Sequence, residues 1–417
     1  MVDYPGVVKP PFRLSMLVYD RRYRSLTIQA VVFILVMLVA GWLVDNTLRN
    51  LAIMGKTFSF DFLFRRAGYD IPQQLIPYNS DDTHLRALVV GLLNTLQVSI
   101  LGCISATVLG VVVGVLRLSS NWLIARLMTV YVEVFRNIPL LLWILVILAI
   151  FTEIMPPPNA YRGDNPQAGM LFFDLIAPTN RYTAIPTLGM TNPPGTIALG
   201  REGISWAFVA YAVAIIAALT IRYFVLRRAK RLQDETGRRP TTWWINLAIL
   251  LVPLALLTWH FGLHLIAPVM RGFNFVGGIN LSNSFVVLWL ALTLYTGAFI
   301  AEIVRAGILS VSRGQSEAAA ALGLRPGRTM SLVILPQALR VIIPPLISQY
   351  LNLTKNSSLA IAVGFMDLRG TLGGTTLNQT GREMECMVLL MGIYLLLSLL
   401  ISGGMNIFNS RVKLKER

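Results

Sequence analysis

The side chains with chemistry to offer are few, and they stand in an otherwise oily sequence. Glu133, Arg136 and Asn137 interrupt one apolar run, Glu302 and Arg305 sit in another, and Lys355, Asn356 and Ser357 in a third. Ionisable groups at membrane depth are costly, so they face a cavity or a partner and mark a path for a polar solute. At the inner boundary the same residues are only anchors that reach toward the headgroups. Glu133 and Arg136 are three apart and share a helix face. His260 and His264 are four apart and could share one too, but no third ligand of a suitable type lies nearby, so no metal site is expected. Cys103 and Cys386 lie inside apolar segments and read as packing residues. No grouping of Ser, His and an acid suggests hydrolysis. The chain also lacks Gly-x-x-x-x-Gly-Lys-Ser/Thr, so it does not supply a phosphate-cradling loop.

One polar stretch differs in kind. Residues 316–336 hold Glu317, Arg325 and Arg328, with Arg313 just ahead, between long apolar runs. Four alanines, Ala318 to Ala321, supply high helix propensity, and Glu317 is placed for a first turn, where the helix dipole favours an acid. Ser312 with Gln315 reads as a start box, Gly323 suits the left-handed cap, and Pro326 cannot continue the helix. The spacing predicts a compact helix over 316–322 whose small-residue face lets another protein's groove come close. The plainer alternative is a surface turn between two membrane helices.

These groups need helices to position them. The 417 residues are 55% hydrophobic and 13% charged, with mean hydropathy +0.64. That balance excludes a soluble domain of this size. The net charge of +16, from 36 Lys and Arg against 20 Asp and Glu, fits cationic loops facing anionic lipid better than nucleic-acid binding. The expected fold is an all-α integral membrane protein of about eight spans, at 27–44, 88–116, 122–151, 205–221, 243–259, 284–308, 337–365 and 387–408. Both termini are then cytoplasmic. The leader with Lys9, Arg13, Arg21, Arg22 and Arg24 favours a retained first helix over a cleaved signal.

Gly102, Ala106, Gly110 and Gly114 make a small-residue ladder for close helix packing, and Pro139 predicts a kink. Arg222, Arg227, Arg228, Lys230, Arg231, Arg238 and Arg239 mark the inside, as do Arg411, Lys413, Lys415 and Arg417. Trp243, Trp244 and Trp259 read as interfacial anchors. Residues 45–86 read as a polar loop with an amphipathic piece around 58–64. The proline-rich stretch 152–203 reads as an external insertion without a compact core, and 260–282 and 364–385 as external segments.

The 316–336 stretch resembles the EAA loop of ABC importer membrane subunits. Glu317, Ala318, Ala319, Gly323, Leu335 and Pro336 fall in register, with Val333 where the pattern has Ile. Further stretches at 91–96, 131–141, 295–307, 314–319 and 352–359 are similar to the polar amino-acid family of these permeases. The extra first helix, the insertion and the pair 205–259 resemble the enlarged subunit of a general L-amino-acid importer.

The resemblance implies a permease core of five helices. It divides the chain into 1–87 (extra helix and loop), 88–152 (first part of the core), 153–283 (insertion plus two added helices) and 284–417 (second part, with the EAA loop). It implies that Glu317, Ala318, Ala319, Ala320, Gly323, Leu335 and Pro336 meet a separate ATP-binding subunit dimer, which carries ATP and Mg. This chain itself would hold no cofactor. It also implies an external amino-acid-binding protein, a second related permease in a heterodimer, and transport by alternating access in a bacterial inner membrane. Glu133, Arg136, Asn137, Glu302, Lys355, Asn356 and Ser357 are the expected path residues. The competing reading is an ion-coupled secondary amino-acid transporter, which also needs broken helices and membrane-depth charges; no inverted repeat of two similar halves is visible.

Overall fold

A computed structural model describes residues 15–55, 57–163, 166–199, 202–238 and 240–412. The expected inside charges Lys9, Arg13, Arg239, Lys413, Lys415 and Arg417 lie outside the described residues. The chain divides into two compact units, Met1–Phe62 and Leu63–Arg417. The first is built on α1 (Arg21–Ile53), 33 residues long and so well beyond the expected 27–44. The amphipathic piece expected around 58–64 is a short 3-10 turn, Asp61–Phe64.

In the second unit, α2 (His84–Leu116) is capped by Thr83, whose hydroxyl accepts from the Arg86 N–H. The expected single span over 122–151 is instead two helices, α3 (Trp122–Asn137) and α4 (Leu140–Ala149), bent 107° from each other. Pro139 has no N–H to donate and pushes Ile138 into an extended conformation, so the helix cannot pass through. The span expected at 205–221 continues as α5 (Trp206–Thr236), 31 residues ended by Gly237 at φ +68. After it come α6 (Trp243–His260), α7 (Asn283–Leu309), α8 (Arg313–Ala321), α9 (Leu335–Asn356) and α10 (Glu383–Val412). Seven described helices are long and apolar enough to cross a membrane, or eight if the bent pair counts as one span.

The packing centre is α2 against α7. A side chain at Gly110 would place its Cβ 2.6 Å from Ile300, and one at Gly114 would sit 2.7 Å from the Ala301 carbonyl, so the ladder brings two backbones together. Leu288, Leu292, Ile300, Ile144 and Leu353 fill the core around this contact.

The stretches 152–203 and 260–282 together carry short β-strands and a small core, which corrects the expectation of an insertion without a compact core. The strands are β1 (Ala177–Pro178), β2 (Tyr182–Ile185), β3 (Thr187–Met190), β4 (Thr196–Leu199), β5 (Glu202–Ser205), β6 (Leu263–Ile266), β7 (Val269–Arg271), β8 (Asn274–Val276) and β9 (Ile279–Ser282). The sheet β1-β2-β9 is antiparallel with Tyr182 opposite Ser282, and β3 pairs with β6. Tyr161, Ala177, Ala184 and Phe275 form a small core of their own. Residues 364–385 are likewise packed rather than loose. Thr371 and Asp367 are fully buried, the Asn94 side chain donates to the Met366 carbonyl at 2.9 Å, and the Leu368 N–H donates to Thr95.

Candidate functional site

The polar knob is real but displaced. It is α8, starting at Arg313 rather than 316, so Glu317 stands in its second turn and not the first. Ser312 occupies the cap position without a side-chain capping bond, and Gln315 instead accepts from Gln337 at 3.3 Å. The start box is therefore absent. The stop holds as expected: Gly323 is at φ +75, its N–H donates to the Ala320 carbonyl at 2.9 Å, and the Leu324 N–H donates to the Ala319 carbonyl at 3.0 Å. Those two bonds form a Schellman cap. Ala319 faces inward at 4% exposure, while Glu317, Ala318 and Ala320 are exposed and Leu322 is 82% exposed. Leu335 and Pro336 belong to the first turn of α9, reached through a turn of π-helix, Met330–Ile334.

Two helical turns before α7 ends and α8 begins lies a charge cluster. Both Glu302 carboxylate oxygens are engaged. Arg305 donates to Oε1 at 2.7 Å, Arg117 donates to Oε2, and the Arg136 guanidinium stands 3.9 Å from Oε2. Arg136 also lies 5.4 Å over the Phe299 ring, a cation–π contact. Asn137 donates to the Glu133 carbonyl at 2.7 Å. The ends of three helices thus converge on one acid. Arg117, directly after the last residue of α2, is the member that sequence reasoning missed. Its side chain is only 8% exposed, although by position it looked like an ordinary boundary cation.

The expected path residues are not all brought together. Arg136 and Glu302 share this cluster, and Glu133, with Asn137 bonded to it, stands beside it and acts on Arg305 through its charge. Lys355 instead opens on a separate cleft of about 560 Å³ with Arg369, Ser358, Tyr394, Ser398 and Met391, and no acid lines it among the described residues. Ser357 is fully buried and donates to the Thr354 carbonyl, so it faces no cavity. Near that cleft, burial pushes the Asp367 carboxyl up to about 7, although its Oδ1 accepts from the Gly370 N–H at 2.8 Å.

The two histidines do not share a helix face. His260 closes α6, while His264 is on β6 with Nδ1 2.9 Å from the Gly262 carbonyl. Cys103 and Cys386 are free, half-buried and buried respectively.

Residues 239–414 match the family described as "Binding-protein-dependent transport system inner membrane component". The chain is 58% identical to the glutamate/glutamine/aspartate/asparagine transport system permease protein BztB of Rhodobacter capsulatus, over 98% of each chain. It is 45% identical to the general L-amino acid transport system permease protein AapQ of Rhizobium johnstonii, over 97% of this chain and 96% of that one. Likeness of this extent takes in the insertion and the added helices as well as the core. The chain is a multi-pass membrane protein and belongs to the family of amino-acid ABC transporter permeases.

Proposed function

We propose that this chain is the membrane permease of an importer that moves L-amino acids across the bacterial inner membrane by alternating access, driven by ATP and Mg held on a separate ATP-binding subunit dimer. The observation that carries this reading is α8, an exposed alanine-faced helix clamped at one end by Gly323 and joined through Ser312 to α7, where Glu302 gathers three arginines. Glu317, Ala318, Ala319, Ala320 and Gly323 form the docking knob, and Leu335 and Pro336 fix the start of the helix that follows. A push on α8 reaches the ends of α2, α3 and α7 together, which gives the two transport states a contact that differs between them.

The amino acid is handed over by an external binding protein. The open cleft at Lys355 and Arg369 offers two cations for its carboxylate. A heterodimer with a second related permease, and cytoplasmic termini, complete the reading. Nothing in the fold favours an ion-coupled carrier. The test is uptake and ATP hydrolysis measured together in the reconstituted importer. Glu317→Lys or Gly323→Asp is expected to leave the permease in the membrane, abolish uptake and release hydrolysis from substrate control. Normal uptake in both variants would reject the assignment of α8.

A further inference from the structure

The hairpin of α5 and α6 carries a feature that transport does not use. Arg222, Arg227, Arg228, Lys230 and Arg231 are all exposed on the unbroken second half of α5, and none makes an ion pair with any described residue. Their height can be read from the hairpin's own register. Tyr211 Oη on α5 meets Thr258 Oγ1 on α6 at 3.1 Å, so Leu226 stands level with Trp243, fifteen residues along each helix from that contact. Tyr223, Phe224, Trp243 and Trp244, each more than half exposed, therefore form one aromatic belt. Aromatic belts of this kind sit at the membrane–water boundary. Arg222 lies within a turn of the belt on the membrane side, where a long side chain snorkels outward, and the other four stand within about two turns beyond it.

The angular spread decides what this collar meets. At about 100° per residue the five cations point to about 0°, 80°, 140°, 180° and 240° around the helix. A protein partner would cover one side of the rod and need the cations there. Lipid headgroups surround the rod. The apolar stretch of α5 and the whole of α6 agree with that environment, being 6% and 0% buried. Asp234 and Glu235 come a further turn out, so the cationic ring itself is uninterrupted.

We infer that the α5–α6 hairpin is an anionic-phospholipid site, with Arg222, Arg227, Arg228, Lys230 and Arg231 collecting negatively charged headgroups around the end of α5. Both α5 and α7 leave the β-strands and run to the other side, so the collar shares its side with α8. That it faces the inner leaflet rests on the proposed cytoplasmic place of α8; the lipid preference does not.

The test is retention of lipid by the full-length permease purified from vesicles of equal parts phosphatidylglycerol and phosphatidylethanolamine. The unaltered protein is expected to retain phosphatidylglycerol preferentially and to lose that preference as salt rises from 0.05 to 0.5 M, a probe that requires no substitution. Replacing the five cations by Gln is expected to reduce the preference by up to about fivefold per charge, whereas five Lys residues at these positions keep it. An unchanged preference in the Gln variant, or insensitivity to salt in the unaltered protein, overturns the inference. So does loss of a bound cytoplasmic protein, with lipid unchanged, in the Gln variant.

Discussion

Helices α7 and α5 both leave a β-strand, both are long and apolar enough to cross a bilayer, and they end in opposite circumstances. In its most apolar stretch α7 is 67% buried, and α5 is 6% buried. Hydropathy does not separate them. What does is the presence of a partner with small residues: Gly110 and Gly114 of α2 accept the backbone of α7, whereas no helix with such a face closes on α5 among the described residues. The treatment of charge follows the same division. Near the end of α7 each carboxylate oxygen of Glu302 has a guanidinium, while the cations of α5 stand open. Apolar length puts a helix in the membrane, and small residues with compensated charge make it part of the machine.

The contrast is broken most severely at Gly110. Gly110→Leu must displace Ile300 or the Gly297 carbonyl 2.9 Å away, and is expected to destabilise by about 3 kcal/mol or prevent assembly, read as loss of monodisperse protein in detergent. Glu302→Ala comes next. It leaves the nearly buried Arg117 without its carboxylate, with an expected loss of about 2–3 kcal/mol in thermal unfolding.

Asp367 sharpens the buried side through pH. Because burial raises its pKa above the unfolded value, the folded state holds the proton longer. Its contribution is full below about pH 4 and is lost as pH rises through about 7. Asp367→Asn is expected to flatten that decline, raising the melting temperature at pH 8 and leaving it unchanged at pH 4; an identical pH profile would remove Asp367 from the account. The smallest effect belongs to α5. Ala217→Leu on its exposed face is expected to shift stability by less than about 0.5 kcal/mol, and a loss as large as that of Gly110→Leu would mean α5 has a packed face after all.

Sequence periodicity carried most of the membrane-spanning architecture, because long apolar runs and the four-residue ladder are local signals. The cap at Gly323 was visible for the same reason. The β-strands were not. Tyr182 finds Ser282 a hundred positions away, across a hairpin of two helices, and strands of four residues among prolines give no alternation to read. The site was visible as types and not as groupings. Glu302 and Arg136 were singled out, yet the charge that completes them, Arg117, looked like any cation ending a helix, and Lys355 belongs to a different cleft.

Everything proposed for transport turns on which side of the membrane α8 faces and what touches it there. Cys103 and Cys386 are replaced by Ser, Ala320→Cys is introduced, and the importer is treated with a membrane-impermeant thiol reagent in vesicles of each orientation, with and without the ATP-binding subunits. Labelling is expected only from the cytoplasmic side, and the ATP-binding subunits should protect the site. Labelling from the external side, or equal labelling with those subunits present, would contradict a coupling helix.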